Sequence, residues 1–249
     1  MRILFTICGR AGSNGIKNKN IRNFAGKPLP YYSLSAIDLY LKKHRDVEYD
    51  IVINSDSEVL LKLLDDNQMR KVDLIKRDPS LAGDTVGKVA VISNCLQEME
   101  KRKNTTYDMV MDLDITSPLR KVCDIEKLVE IHTEKKPDCT TSVAAARRNP
   151  YFNQVMKTEK GVKKVIDSDF TARQQAPEIF DMNASLYAYS PEHLKAGGGV
   201  LDGYCEIIEM YDTGILDLDH ENDFELMEVI AQYLFKKYPD FAEIRDNIK

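Results

Sequence analysis

The sequence predicts an α/β fold in which a doubly wound, mostly parallel β-sheet carries helices on both faces. Three observations favour this fold class. Short apolar runs of strand length alternate with longer amphipathic segments of helical spacing as far as Lys135. The repeated strand–helix units are of the size typical of parallel sheets. Polar and glycine-rich stretches directly follow the apolar runs, where ligands bind in such sheets.

The individual elements follow from the spacing of apolar residues along the chain. Residues 3–8, 49–54, 72–75, 109–113, 140–146 and 182–189 are predicted strands. Residues 31–43, 58–69, 85–103, 124–135 and 221–237 are predicted helices. Two short runs, 151–157 and 162–166, flank Glu159-Lys160-Gly161 and predict a hairpin. Residues 1–249 are therefore expected to form one domain, with a hairpin extension at residues 147–181.

The composition excludes several classes of protein. A net charge of −5 argues against nucleic acid as the main partner, because binding to phosphate backbones requires a basic face. No apolar run approaches the roughly 20 residues that span a bilayer, so no membrane partner is expected. The five cysteines are odd in number and contain no Cys-x-x-Cys pair, which argues against a disulfide framework or a zinc site. Reduced thiols favour a cytoplasmic location.

A glycine-rich, cationic loop follows the first predicted strand. Gly9, Gly12 and Gly15 allow the backbone to approach a ligand with its N–H groups directed inward. The spacing matches neither the Walker-type phosphate loop nor the dinucleotide fingerprint. The concentration of cations predicts a polyanion site, most simply for a triphosphate, with a solvated surface turn as the alternative. The basic residues of this loop are Arg10, Lys17, Lys19, Arg22 and Lys27.

This loop, GRAGSNGIKNKN followed by GKPL, resembles the signature of the acylneuraminate cytidylyltransferases, also called CMP-sialic acid synthetases. The resemblance extends over nearly the whole chain. It implies a nucleotide-diphospho-sugar transferase-like fold and an enzyme that couples CMP from CTP to a nine-carbon 2-keto sugar acid, releasing pyrophosphate. It also implies Mg²⁺ as cofactor and a homodimer in which the hairpin extension contacts the second subunit. Asn14 replaces the lysine of the family pattern, and Lys17 replaces its proline.

The resemblance also assigns nucleotide-binding residues. RDPSLA, which begins at Arg77, resembles the family's Arg-Pro-x-x-Leu-Ala, whose arginine binds the nucleotide. After Asp84-Thr85 the family often has a serine, where this chain has Val86 and Gly87. Arg10 and Lys19 are expected to act in catalysis by stabilising the leaving pyrophosphate. The implied nucleotide-binding residues are Gly9, Arg10, Ala11, Gly12, Ser13, Lys19, Asn20 and Arg77.

Two aspartate pairs are candidates for binding magnesium or substrate. Asp112 and Asp114 are two residues apart on an extended strand, so their side chains lie on the same side of it. Their carboxylates are candidates for binding Mg²⁺, and the alternative is that they cap the turn after the strand. DLDITSPLR resembles the family's Gln-Pro-Thr-Ser-Pro-Leu-Arg, and Asp114 replaces a glutamine that contacts the sugar. Asp217 and Asp219 resemble the family's metal-binding pair; they are expected to hold Mg²⁺, with Asp219 also catalytic, although a helix-capping role is the alternative.

A third match concerns the sugar acid. ARQQAP and the later MNASLY resemble the family's Arg-Arg/Pro-Gln-x-x-Pro and Asn-Gly-Ala-Ile-Tyr. A guanidinium group pairs well with a carboxylate, which is the group that distinguishes these sugars. The resemblance therefore implies that Arg173, Gln174 and Asn183 contact the sugar acid, with Lys164 as a second basic position.

Two other functions stay open at this point. The chain is alternatively another sugar nucleotidyltransferase or a glycosyltransferase that uses Asp112-x-Asp114 as its metal pair. It is alternatively a non-catalytic nucleotide-binding homologue, which the departures at Asn14 and Gly87 motivate. The sequence does not distinguish sialic, legionaminic, pseudaminic or another such acid as the substrate.

Overall fold

The computed structural model of the chain describes residues 1–12, 15–83, 86–213, 218 and 220–249. The strands, in chain order, are β1 (Arg2–Cys8), β2 (Asn23–Phe24), β3 (Lys27–Pro28), β4 (Glu48–Ser55), β5 (Asp73–Lys76), β6 (Met109–Leu113), β7 (Cys139–Ala145), β8 (Val155–Thr158), β9 (Gly161–Lys164), β10 (Phe180–Tyr189) and β11 (Cys205–Glu209). The α-helices are α1 (Leu29–Lys43), α2 (Glu58–Asp65), α3 (Lys88–Lys103), α4 (Val122–Lys135), α5 (Pro191–Lys195), α6 (Glu221–Lys237) and α7 (Pro239–Asp246).

Seven of the strands form one sheet in the order β11-β7-β10-β6-β1-β4-β5. The pairs β1–β4, β1–β6, β4–β5 and β7–β11 are parallel, and β10 runs antiparallel to both β6 and β7. The predicted mostly parallel sheet is therefore confirmed. Because β10 reverses the direction between β6 and β7, the carboxyl ends of β1, β4, β6 and β7 lie along the same edge.

The core consists of two apolar layers, one on each face of this sheet. Ile3, Phe5 and Ile7 pack with residues of α1 on one face. Leu4 and Cys8 pack with residues of α3 on the other. The side chains of β1 thus alternate between two buried faces, which explains why its sequence is a continuous apolar run. The prediction of a doubly wound sheet is confirmed by helices that cover both faces.

Several predicted boundaries differ from the structure for local reasons. Helix α2 ends at Asp65 instead of residue 69, because the Asn67 side chain accepts from the N–H groups of Met69 and Arg70 and so stabilises a turn. Helix α3 begins at Lys88, with Gly87 preceding it, and not at residue 85. Strand β11 and helices α5 and α7 are short, and the sequence analysis missed them.

The predicted hairpin is present between β8 and β9, which form a two-stranded antiparallel sheet separate from the main one. Gly161 follows the turn with φ +109°, a conformation that favours glycine. Val155 and Val162 are 62% and 71% exposed. The hairpin therefore presents apolar side chains outward, and its role as a dimer contact stays a prediction.

Strand β10 contains an irregularity between Met182 and Tyr187, where Ala184 has φ +48°. An L-residue with a side chain is strained in this left-handed region, and the family pattern has glycine at this place. We expect Ala184→Gly to raise the free energy of unfolding by about 0.5 to 1 kcal/mol, measured by urea denaturation. The control, Ala188→Gly in the same strand, should lower it by about as much. A loss of stability in Ala184→Gly would contradict the assignment of strain.

Candidate active site

The glycine-rich loop begins where β1 ends, at the carboxyl edge of the sheet. The Gly9 N–H donates to the Asn54 carbonyl oxygen at 3.1 Å, which joins the loop to β4. A Cβ atom on Gly9 would lie 2.6 Å from Leu60 Cδ2 and 2.9 Å from Ile115 Cδ1. A larger residue would have to displace these two buried side chains, so the close approach to α2 and to the segment after β6 favours glycine. The loop is thus pressed against two neighbouring elements of the same edge.

The rest of the loop surrounds a small pocket. The Asn20 side-chain amide donates to the Arg10 carbonyl oxygen at 3.1 Å and so closes the loop on itself. The Ala11 N–H donates to Asp56 Oδ1 at 2.7 Å, a contact that the sequence analysis did not predict. Ser13 lies outside the described residues, as does Asn14. The predicted nucleotide-binding residues that line the pocket are Arg10, Ala11, Gly12, Lys19 and Asn20.

Lys19 connects this loop to the far end of the chain. Its ammonium donates to the carbonyl oxygen of Leu218, which is fully buried. Asp217 and Asp219, on either side of Leu218, lie outside the described residues. The cationic loop and the segment that carries the predicted metal-binding pair nevertheless meet at Leu218, although 199 positions separate the two residues in the sequence.

Arg77 lies beneath the loop instead of in open solvent. It is 8% exposed, its Nε donates to Asn54 Oδ1 at 2.8 Å, and its Nη2 donates to the Asn54 carbonyl oxygen at 3.1 Å. The same carbonyl accepts from Gly9, so Asn54 joins the arginine to the start of the loop. Asn54 was not among the predicted site residues; its one signal in the sequence is a polar residue at the end of a buried strand.

Asp112 and Asp114 share a lysine that the sequence analysis did not identify. Lys88 Nζ lies 2.6 Å from Asp112 Oδ2 and 2.6 Å from Asp114 Oδ2. Burial opposes the charged form of Lys88, but the two carboxylates raise its pKa above the ordinary value. An ammonium already lies where a shared metal ion would have to bind, which disfavours this pair as the metal site. Among the described residues, no group of three or more His, Cys, Asp or Glu side chains is arranged to hold a metal.

Arg120 organises the segment after β6. It is 1% exposed, and its Nη2 donates to the carbonyl oxygens of Asp114 and Ser117, each at 2.5 Å. Its Nη1 donates to Ser33 Oγ at 3.0 Å. Burial lowers the pKa of Arg120 to about 10, against the opposing charges of Asp114, Asp112 and Asp124. This side chain fixes the TSPLR turn, a role that its place in the motif did not reveal.

The predicted sugar-contacting residues are spread over the other half of the edge. Asn183 is buried on β10, accepts from Ser142 Oγ at 2.6 Å, and lines a small pocket with Ser117 and Tyr211. Arg173 is exposed and donates to the Ala146 carbonyl oxygen at 3.1 Å, just beyond the end of β7.

The two remaining sugar-contacting candidates lie in the hairpin extension. Gln174 is exposed. Lys164 Nζ donates to the carbonyl oxygens of Ser168 and Phe170, at 2.9 and 3.1 Å. The contacts of Lys164 thus lie within its own segment, and its part in sugar binding stays a prediction.

Similarity to known proteins extends over most of this chain. The family model for cytidylyltransferases matches residues 4–232. A post-translational flagellin modification protein B of Campylobacter coli is 34% identical over 240 residues, covering 96% of this chain and 99% of the relative. A CMP-N,N'-diacetyllegionaminic acid synthase of Campylobacter jejuni is 34% identical over 229 residues, covering 92% of this chain and 94% of the relative.

The fold agrees with a solved structure. The structure of a CMP:2-keto-3-deoxy-manno-octonic acid synthetase complexed with CTP superposes with a TM-score of 0.61 at 13% identity, covering 94% of this chain and 100% of that one. No helix in the described part of the chain is long and apolar enough to cross a membrane. The predicted family is confirmed by the family model and by the relative named a CMP-N,N'-diacetyllegionaminic acid synthase. The chain therefore belongs to the cytidylyltransferase family, as a CTP-dependent enzyme.

Proposed function

We propose that this enzyme transfers CMP from CTP to the anomeric hydroxyl of a nine-carbon 2-keto sugar acid of the legionaminic type, releasing pyrophosphate. The observation that carries the proposal is the hydrogen bond from Lys19 to the Leu218 carbonyl, which joins the cationic loop to the Asp217–Asp219 segment. The choice of sugar acid is supported by the relative that is named a diacetyllegionaminic acid synthase and aligns over 92% of this chain.

In this proposal the first loop binds the triphosphate. Arg10 and Lys19 line one pocket with Ala11 and Gly12, and the two cationic side chains bind the phosphate oxygens there. Negative charge grows on the leaving pyrophosphate as the bond to the α-phosphorus breaks, and the two cations stabilise that charge. Arg77 holds Asn54, and through it the start of the loop, in place for nucleotide binding.

Asp217 and Asp219 are proposed to hold the Mg²⁺ ion. Carboxylate oxygens are the donors that this cation prefers, and the Lys19 contact at Leu218 brings the segment to the phosphate pocket. The alternative pair, Asp112 and Asp114, fits the ion less well because the Lys88 ammonium already contacts both carboxylates. When bound, the metal would shield the negative oxygens of the α-phosphate from the attacking hydroxyl.

The sugar acid is proposed to occupy the β10 and β7 half of the edge. Arg173 pairs with its carboxylate, while Gln174 and Asn183 meet its hydroxyl and amide groups. The exposed apolar side chains of the β8–β9 hairpin support a homodimer, in which Lys164 of the hairpin completes the partner's site. In this arrangement the hairpin forms the contact between the two subunits, whereas within one chain Lys164 contacts only its own segment among the described residues.

The proposal is tested by incubating the protein with CTP and MgCl₂ together with N,N'-diacetyllegionaminic, N-acetylneuraminic or pseudaminic acid. Pyrophosphate release is measured, and the CMP-sugar is identified by mass spectrometry. We expect the highest kcat/KM with the legionaminic acid, no product with GTP or UTP, and loss of activity in EDTA that added Mg²⁺ restores. CTP binding without turnover on any sugar would instead support a non-catalytic homologue.

A further inference from the structure

Lys88, Asp112 and Asp114 form a compact charged cluster at the end of β6. The Lys88 ammonium contacts one carboxylate oxygen of each aspartate at 2.6 Å. Asp112 is fully buried, and its other oxygen accepts from Thr6 Oγ1 at 2.7 Å on β1. Two negative charges therefore share one direct positive partner, while Arg120 supplies a second positive charge nearby.

The cluster lies between the two halves of the ligand-binding edge. Strand β6 is flanked by β1, which leads into the phosphate loop, and by β10, which carries Asn183. The Asp114 N–H donates to the Ser185 carbonyl oxygen on β10 at 3.1 Å, which ties Asp114 to the sugar side. The side chains of Lys88 and Asp114 are 32% and 19% exposed. The side chains of these two residues, unlike that of Asp112, are therefore partly accessible to solvent.

The Asp114 carboxylate accepts three hydrogen bonds from neighbouring groups. Its Oδ1 accepts from the Thr116 N–H at 2.9 Å and from Thr116 Oγ1 at 2.8 Å. Its Oδ2 accepts from Lys88 at 2.6 Å. A carboxylate offers about four lone-pair sites. Among the described residues one acceptor position of Asp114 therefore remains, on Oδ2.

We propose that Lys88 is a positioning residue that holds Asp114 as an ionised, acceptor-only group, which selects a sugar acid that offers one hydroxyl or amide N–H at this point. The inference rests on the proposed function and extends it to substrate choice. A carboxylate at position 114 adds a second negative charge beside the buried Asp112, and Lys88 contacts and compensates both. An ionised carboxylate rejects a ligand acceptor at the same point.

The charges around Asp114 support this role. Burial alone would raise the pKa of the Asp114 carboxyl, but the charge and hydrogen bond of Lys88, with the two Thr116 donors, hold that pKa below its ordinary value. The other titratable or charged groups that face the cluster are Asp112, Cys8 and Arg120. Without Lys88 the pKa of Asp114 rises, so the carboxyl gains a proton as the pH falls and stops being acceptor-only.

The test compares Lys88→Met with Lys88→Arg in the pyrophosphate assay, with CTP and N,N'-diacetyllegionaminic acid varied in turn. For Lys88→Met we expect KM for the sugar to rise by about tenfold or more, while KM for CTP changes by less than about threefold. The acid limb of kcat/KM should move to higher pH. Lys88→Arg should retain most of the wild-type values. Asp114→Asn, which is isosteric, should also raise KM for the sugar.

The matched control is Lys195→Met. Lys195 pairs with Glu100 at 2.9 Å, near the opposite end of the helix that begins at Lys88. It should leave both KM values and the pH profile unchanged. Should Lys88→Met lose stability and affinity for both substrates without a change in the pH profile, the lysine is only structural and the inference is wrong. A rise confined to KM for CTP would refute the assignment to the sugar. An inactive wild-type enzyme refutes the proposed function itself, whereas an active wild type with an unaltered Lys88→Met refutes only this inference.

Discussion

Lys19→Met should lower kcat by about 10²- to 10³-fold, because it removes the ammonium that we propose stabilises the negative charge growing on the leaving pyrophosphate. Lys19 is half-buried, lines the pocket with Arg10, and donates to the Leu218 carbonyl. Methionine retains much of the length of the side chain and removes only the ammonium. The measurement is steady-state pyrophosphate release at saturating CTP and sugar, with circular dichroism to verify that the variant is folded.

The control for this prediction is Lys17→Met, two residues earlier in the same loop. The Lys17 side chain is exposed, and it stands where the family pattern has proline. Its loss should lower kcat by less than about threefold, as for a solvated surface charge. If Lys17→Met lowers kcat as much as Lys19→Met does, then Lys17 replaces the cation that is missing at Asn14. A change in KM alone for Lys19→Met would exclude a role in stabilising the leaving group.

Arg120→Met should lower the free energy of unfolding by about 3 kcal/mol or more. The substitution leaves buried oxygen acceptors without a donor, and it leaves the nearby aspartates without one of their positive charges. The guanidinium donates to the Asp114 and Ser117 carbonyl oxygens and to Ser33 Oγ. Removing it also takes one positive charge from beside Asp112 and Asp114. The change is measured by urea denaturation, which is followed by far-UV circular dichroism because the chain contains no tryptophan.

The control here is Arg102→Met on α3. Arg102 donates to the Leu74 carbonyl oxygen at 2.8 Å but is 42% exposed, and its contact with Glu98 lies at the surface. This substitution should change the free energy of unfolding by less than about 1 kcal/mol. If Arg120→Met lowers the free energy of unfolding by less than about 1 kcal/mol, the TSPLR turn is stable without its arginine.

Much of the fold was predictable because its signals are local. The apolar run at the start of the chain predicts β1, and α6 has the predicted bounds of residues 221–237, since its apolar residues recur at helical spacing over 17 residues. Strand β11 escaped prediction because only Ile208 of its five residues is fully buried, so its pattern resembles a loop. Helix α5 has only five residues, too few to show a period.

The candidate site divides in the same way. Glycines and cations within a dozen residues predicted a ligand-binding loop after β1, and Arg10, Lys19 and Asn20 of this loop do line one pocket. The contacts of Asn54 with Arg77 were not predictable, because they join the end of β4 to the residue after β5, and α2 separates the two strands in the sequence. The magnesium ion, the homodimer and the part played by Lys164 stay predictions.

The sequence by itself determined the class of fold, the family and the position of the glycine-rich cationic loop that we propose binds phosphate, because strand and helix periods and a glycine-hinged turn are properties of a few consecutive residues. Only the tertiary structure decided which charges meet: Lys88 with Asp112 and Asp114, and Lys19 with the segment at Leu218. The physical reason is that these partners are chosen by strand order and helix placement. A buried charge is stabilised by whichever group the fold brings within a few ångströms, and no spacing along the chain encodes that distance.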